Sequence, residues 1–131
     1  VIFLATKIET GEKSAIKEIA GHIGASEHTV GKFLQTLVKQ GNINSLKGPS
    51  GGFYLSHKQV NQPIIHIVSA IDGPQIFKEC GLGLSKCSAV HPCPMQDDYK
   101  RARDLIANMF EKKLVSDLCL QVNDGFAYLI D

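Results

Sequence analysis

Asn42-Ile-Asn-Ser-Leu-Lys-Gly-Pro-Ser-Gly-Gly-Phe-Tyr-Leu55 holds two short runs that suit strands, residues 42–46 and 52–55. Between them Lys47-Gly-Pro-Ser-Gly-Gly52 consists almost wholly of turn residues, so the whole reads as a β-hairpin. Working outward from it, two short amphipathic helices come immediately before. Ser14 is placed to cap the first, in which Ile16, Ile19, Ala20 and Ile23 follow the i, i+3, i+4, i+7 spacing of one buried face, and Gly24 stops it. Ser26 is placed to cap the second, with Glu27 in its first turn, an apolar stripe of Val30, Phe33, Leu34, Leu37 and Val38, and Gly41 at its close. Two such helices joined by a tight glycine-containing turn make a helix-turn-helix, and a hairpin directly after one is a wing.

The polar face of the second helix shows Glu27, His28, Gly31, Lys32, Gln35 and Lys39, residue types that reach phosphates and base edges of duplex DNA. Ser26, His28, Thr29, Lys32 and Gln35 are the candidate contacts on that helix. On the hairpin tip Lys47, Gly48, Ser50 and Gly51 join them, because backbone amides among glycines approach a phosphate with no side chain in the way. Gly31 is a costly residue in mid-helix, by about 1 kcal/mol against alanine, and is read as letting the helix lie close to DNA. Charge is distributed to match. Residues 1–60 carry seven Lys against four Glu, whereas residues 61–131 carry seven Lys or Arg against nine Asp or Glu, so the front half is the one that meets an anion.

The 131 residues suffice for one compact domain or a small domain with an assembly element, and no apolar run approaches a membrane span. Residues 2–8 read as the end of a first helix that begins without a cap or an initiator Met, so part of that helix is expected to precede Val1. Asn61 and Pro63 open a helix with Ile64, Ile67, Val68 and Ile71 facing inward, stopped at Asp72-Gly-Pro74. From Pro94 a helical pattern runs for roughly six turns, with Ala102, Leu105, Ile106, Met109, Phe110 and Leu114 apolar and Lys100, Arg101, Arg103, Asp104, Glu111 and Lys112 wet. That stripe is expected to meet the same helix of a second subunit, since two-fold dimers suit readers of palindromic DNA. Ser116-Asp117-Leu118 reads as a cap or turn, and residues 126–130 as a short terminal strand.

Between these apolar segments, residues 80–93 are too rich in Gly, Ser and Pro for a helix or buried strand, yet hold three of the four cysteines, Cys80, Cys87 and Cys93. A disulfide framework is disfavoured by the odd thiol left over. Structural zinc favours a close Cys-x-x-Cys pair, whereas the gaps here are six and five residues. An iron-sulfur cluster suits thiolates at such spacings on a loop made supple by Gly81 and Gly83, and three unliganded thiols are the plain alternative. His91, two residues from Cys93, reads as solvated, with a substitute fourth ligand as the alternative; His22, His57 and His66 read as surface or satisfied helix residues, and Cys119 as a small buried hydrophobe. No Cys-x-x-Cys, dinucleotide glycine motif or His–carboxylate pairing supports turnover, so an enzyme is not expected.

Laid out in this order, the chain resembles the IscR and NsrR family of iron-sulfur winged-helix transcriptional regulators over nearly its whole length. The resemblance is carried by Ile19-Ala20, the wing from Gly48 to Leu55, Ala70-Ile-Asp-Gly73 and the three cysteines. It implies a mainly α fold with a small β wing: a winged helix-turn-helix DNA-binding domain over residues 1–60, a connecting helix over 61–79, a cluster-binding loop over 80–93, a dimerisation helix over 94–118 and a tail over 119–131. It implies further that Cys80, Cys87 and Cys93 are cluster ligands, that His28, Thr29 and Lys32 begin the DNA-facing helix, and that Lys47 is the basic wing residue. IscR-like members place a His three residues after the last cysteine, where this chain has Gln96, and can carry a base-reading Glu where it has Gly31. The NsrR-like branch, with an acidic ligand from the partner subunit's first helix, is therefore the closer match, and a 4Fe-4S cluster is expected with 2Fe-2S as the alternative. The function so implied is a cytoplasmic, nucleoid-associated homodimer that binds a palindromic operator in double-stranded DNA as a repressor, its affinity switched by the cluster in response to nitric oxide, redox or iron-sulfur status. A winged-helix regulator sensing through thiol oxidation or zinc, without a cluster, is the alternative.

Overall fold

The computed structural model describes residues 1–80, 82 and 90–129. Within it α1 (Ile2–Ala5) and α2 (Ile16–Ile23) lead to the turn at Gly24, whose φ of 67° is a left-handed conformation that glycine holds at little cost. Ser26 then caps α3 (Glu27–Lys39), its Oγ accepting the Thr29 N–H at 3.2 Å. β1 (Asn44–Leu46) and β2 (Gly52–Tyr54) pair antiparallel, with Asn44 opposite Tyr54, Ser45 opposite Phe53 and Leu46 opposite Gly52. The expected winged helix-turn-helix architecture, mainly helical with one small sheet, is what the chain adopts.

After the wing come α4 (His57–Val60), α5 (Ile64–Asp72), a single 3-10 turn over Pro74–Phe77, α6 (Gln96–Lys112) and α7 (Val115–Asn123). The core joins α1 through Phe3, Leu4 and Ala5 to Ile19 and Ala20 of α2, Val30, Leu34 and Leu37 of α3, and Val115 and Cys119 of α7. Ile43, Leu55 and Val60 close it beneath the wing. Ile67, Ala70 and Ile71 of α5 pack against this core while staying partly exposed. Among the described residues no helix is long and apolar enough to cross a membrane.

Several local readings are corrected. Ser14 does not cap α2: it is fully buried and exchanges backbone hydrogen bonds with Phe53, N–H to O at 3.0 Å and back at 2.8 Å, so that Ala15 takes the cap position. A backbone recruited to extend the wing sheet is not free to place its hydroxyl over a helix end. Phe33 is 46% exposed, because the buried face of α3 is centred on Val30, Leu34 and Leu37 and Phe33 lies on its flank. Gly31 is buried, and a Cβ there would touch Ile16 Cδ1 at 3.6 Å; it faces α2 and not DNA. The first helix stops at Ala5 and continues as tighter turns, with Lys7 N–H on Leu4 O and Ile8 N–H on Ala5 O.

α6 ends at Lys112 because Lys113 turns extended (φ −79°, ψ 128°) and Leu114 bridges to Pro63. α7 then begins where a mere cap or turn was expected, with Asp117 Oδ2 accepting the Leu114 N–H at 2.9 Å. Residues 126–129 form no strand, and Phe126 and Tyr128 stand 84% and 82% exposed; Ile130 lies outside the described residues. Alternation needs a sheet edge to pair with, and the described residues of the tail meet none.

Ile43, at 1% exposure, sits where α3, the wing and α4 converge. Its replacement by alanine is expected to cost about 2–5 kcal/mol, a large share of the roughly 5–15 kcal/mol that holds a small domain together. A fall in the urea midpoint at unchanged slope checks this.

Candidate nucleic-acid interface and cysteine site

The start of α3 presents Ser26, Glu27, His28 and Thr29, all exposed, followed one turn on by Lys32 and Gln35. Capping occupies part of this set: Ser26 Oγ also donates to Thr29 Oγ1 at 2.8 Å. The Thr29 amide is thus spent on the cap, and the positive end of the helix dipole lies at this exposed turn. Lys32, Lys39 and Lys47 are exposed, and among the described residues no ion pair engages them; the pairs that do form join Lys7 to Glu12 and Glu18, and Lys100 to Asp104. Of these, Lys100 holds the exposed Asp104 carboxyl below its usual range by hydrogen bonding. Cations left unneutralised are the ones able to displace counterions from DNA.

At the wing tip Lys47, Gly48 and Ser50 are exposed and Gly51 partly so. Gly48 turns the chain with a φ of 106°, and Gly51 N–H closes the turn on Gly48 O at 3.0 Å. The Gly51 amide is thus spent inside the turn, and the tip offers a phosphate the lysine and the neighbouring backbone. Lys13 Nζ lies 5.3 Å above the Tyr54 ring and adds a further positive charge beside β2.

The cysteine site lies at the opposite end of α5. The 3-10 turn delivers Cys80, and Cys93 stands before α6, its carbonyl accepting Gln96 N–H at 3.0 Å. The two sulfurs are 3.9 Å apart and both partly exposed. This is beyond a disulfide bond of about 2.05 Å. It matches the edge of a tetrahedron whose centre holds sulfurs at about 2.3 Å, which places them about 3.8 Å from each other. The pair therefore fits two thiolates on a common metal centre. Cys87, the third expected ligand, lies outside the described residues; among those described, no three His, Cys, Asp or Glu side chains form a cluster. Cys119 is buried in the core, where desolvation raises its thiol pKa, far from a ligand's role.

Arg103 was not anticipated. From α6 its Nη1 donates to Glu79 O at 2.7 Å, which ties the residue preceding Cys80 to the long helix, and Phe77 meets Phe110 edge-on at 6.0 Å beside it. The sequence shows Arg103 only as one more polar residue on a wet face. Equally unanticipated are Asn42 and Gln62, which bond each other under the wing, and Gln59, whose Nε2 donates to Asn44 Oδ1 beside them.

Against known proteins, the family profile described as "Rrf2: Iron-dependent Transcriptional regulator" matches residues 1–121. A putative HTH-type transcriptional regulator of Aquifex aeolicus (strain VF5) is 28% identical over 105 residues, 79% of this chain and 73% of that protein. Among solved structures, CymR, titled the global cysteine regulator of B. subtilis, aligns with a TM-score of 0.73 at 20% identity, covering 97% of this chain and 88% of CymR. IscR of T. potens aligns with a TM-score of 0.72 at 16% identity, over 97% of this chain and 82% of that one. These two share its fold.

Proposed function

Because the chain belongs to the Rrf2 family of iron-dependent transcriptional regulators, we propose that it acts as a homodimeric regulator, of the repressor kind, whose DNA affinity is switched by an iron-sulfur cluster at the cysteine loop. It is a transcriptional regulator and not an enzyme. The observation that carries the switch is the 3.9 Å approach of Cys80 and Cys93 at the two ends of one loop, one strapped to α6 through Arg103 and the other leading directly into it. Iron bound there, with Cys87 as a further ligand, would fix how the loop seats on that helix. The 4Fe-4S form is the one the NsrR-like resemblance implies, with 2Fe-2S as the alternative, and the iron-to-sulfide content and absorption spectrum distinguish them.

The bound group would supply reactivity toward nitric oxide, oxygen or peroxide. The chain's own part is to convert the loop's state into the placement of two reading heads. α6 leaves Leu105, Ile106 and Met109 exposed at 70%, 48% and 49%, an apolar row suited to a second copy of itself. Two heads so joined would meet successive major grooves, about 34 Å apart, of a palindromic duplex. The same sulfur spacing suits zinc or an oxidisable dithiol, and metal analysis separates these readings.

The deciding experiment is iron and sulfide quantitation with visible absorption on protein isolated without oxygen, followed by DNA affinity with and without the group. An affinity difference of about 10²-fold is expected. Colourless protein, or an affinity indifferent to the metal, would count against the proposal. For the DNA surface itself, Lys32→Ala and Lys47→Ala should each weaken binding evenly across sequences and lower the slope of log affinity against log salt by about 1. Fluorescence anisotropy at a series of salt concentrations measures it.

A further inference from the structure

We propose that Gln62 is a positioning residue for DNA binding, the joint that locks the root of the wing to the end of α6. Its backbone and side chain face two different parts of the molecule. On one side Val115 N–H donates to Gln62 O at 3.0 Å and Ile64 N–H donates to Lys113 O at 2.9 Å, which makes Pro63 and Leu114 an isolated antiparallel bridge. On the other side Gln62 Nε2 donates to Asn42 O at 2.8 Å and Gln59 O at 2.7 Å, while its Oε1 accepts Asn42 Nδ2 at 3.0 Å.

Asn42 is 7% exposed and adjoins Ile43 at the foot of the wing. Gln59 extends the same lattice, donating to Gly41 O at 3.1 Å and to Asn44 Oδ1 at 3.0 Å. The carbonyls of Gly41 and Asn42 and the side chains of Asn42 and Asn44, between the end of α3 and the start of β1, are thereby held by one of two glutamines. The neighbouring apolar contacts through Val115 and Cys119 attract without direction, and packed helices can slide along them. Hydrogen bonds to a nearly buried amide are directional and costly to leave unmade, so they select one angle between wing and helix. α6 leads at its other end to Cys93, so the joint lies on the physical route between cysteine loop and wing. That relevance to DNA rests on the dimeric reading above.

Gln62→Met keeps the length of the side chain and removes its donors and acceptor. In the intact protein, hydrogen exchange at the wing amides, residues 42–46 and 52–54, is expected to quicken by about tenfold or more, with the α3 amides at Val30 and Leu34 unchanged. On a palindromic duplex enriched from a random pool by the unaltered protein, Gln62→Met should lose at least about tenfold in affinity for the whole site and under about threefold for a half-site. A purely stabilising residue would weaken both sites alike, and that result, or no loss on either, overturns the proposal. Wing exchange that stays at the unaltered rate overturns it too. Should no palindrome be enriched, the dimeric reading fails on its own account, and the exchange rates still decide whether the joint exists.

Discussion

Protein in which Cys80 and Cys93 are both replaced by serine is expected to carry iron and sulfide near background and to lack visible absorption when isolated without oxygen. Serine keeps the shape of cysteine but offers a hard hydroxyl that stays protonated near neutral pH, whereas cluster irons are held by thiolates. The double change removes both sulfurs of a pair that sits 3.9 Å apart, so among the described residues no thiolate remains at that corner. Neither residue belongs to the buried core, and surface substitutions of this kind are usually worth within about 0.5 kcal/mol. The thermal midpoint should accordingly move by a few degrees at most. DNA affinity should stay in one state whatever the oxidant, against the roughly 10²-fold response expected of the unaltered chain. A double variant that keeps its colour and iron content would place the metal elsewhere and sink the proposal.

The second large effect lies at the wing tip. Gly51→Ala would drive a Cβ into Leu46 O and put it 2.8 Å from Leu46 C and 2.9 Å from Lys47 C. These are backbone atoms that no rotamer change can move aside, so the turn itself must open. It would lose the Gly51–Gly48 hydrogen bond and the Leu46–Gly52 pairing, and with them the placing of Lys47. The core residues beneath the wing are untouched, so far-ultraviolet dichroism should keep its helical shape. DNA affinity should fall about ten- to a hundredfold, the equivalent of roughly 1.4–2.7 kcal/mol of lost contacts. Gly21→Ala is the matched control, since nothing lies within 4 Å of a Cβ at that position on α2; it should leave DNA binding unchanged and add up to about 1 kcal/mol of helix stability. Equal binding by the two variants would remove the wing from the interface.

Much of the reading head was legible beforehand because its signals are local. Ser26 caps α3, Gly24 supplies a left-handed turn, and Pro63 precedes α5, each by chemistry confined to a few consecutive residues. One local signal was passed over. Ser56-His-Lys-Gln59 is a capping box, with Ser56 Oγ on Gln59 N–H at 3.2 Å and Gln59 Oε1 on Ser56 N–H at 2.9 Å, and it announces the short α4. Apolarity by itself misled at Phe33, which was counted into a stripe wider than the face α3 buries.

From the chain of residues alone come the helix-turn-helix, the wing after it and the three cysteines on one loop, since periodicity, caps and turn chemistry act over distances shorter than a few turns of helix. Long-range contact settled the rest. Ser14 gave up its capping place to Phe53, 39 positions away in the sequence; Lys113 left the helix because Leu114 bridges to Pro63; Cys80 and Cys93 came within 3.9 Å of each other; and Asn42 found Gln62. Such pairings depend on which surfaces meet once the elements have formed, and buried polar groups and sulfur geometry follow from that meeting, so no periodicity in the linear order announces them.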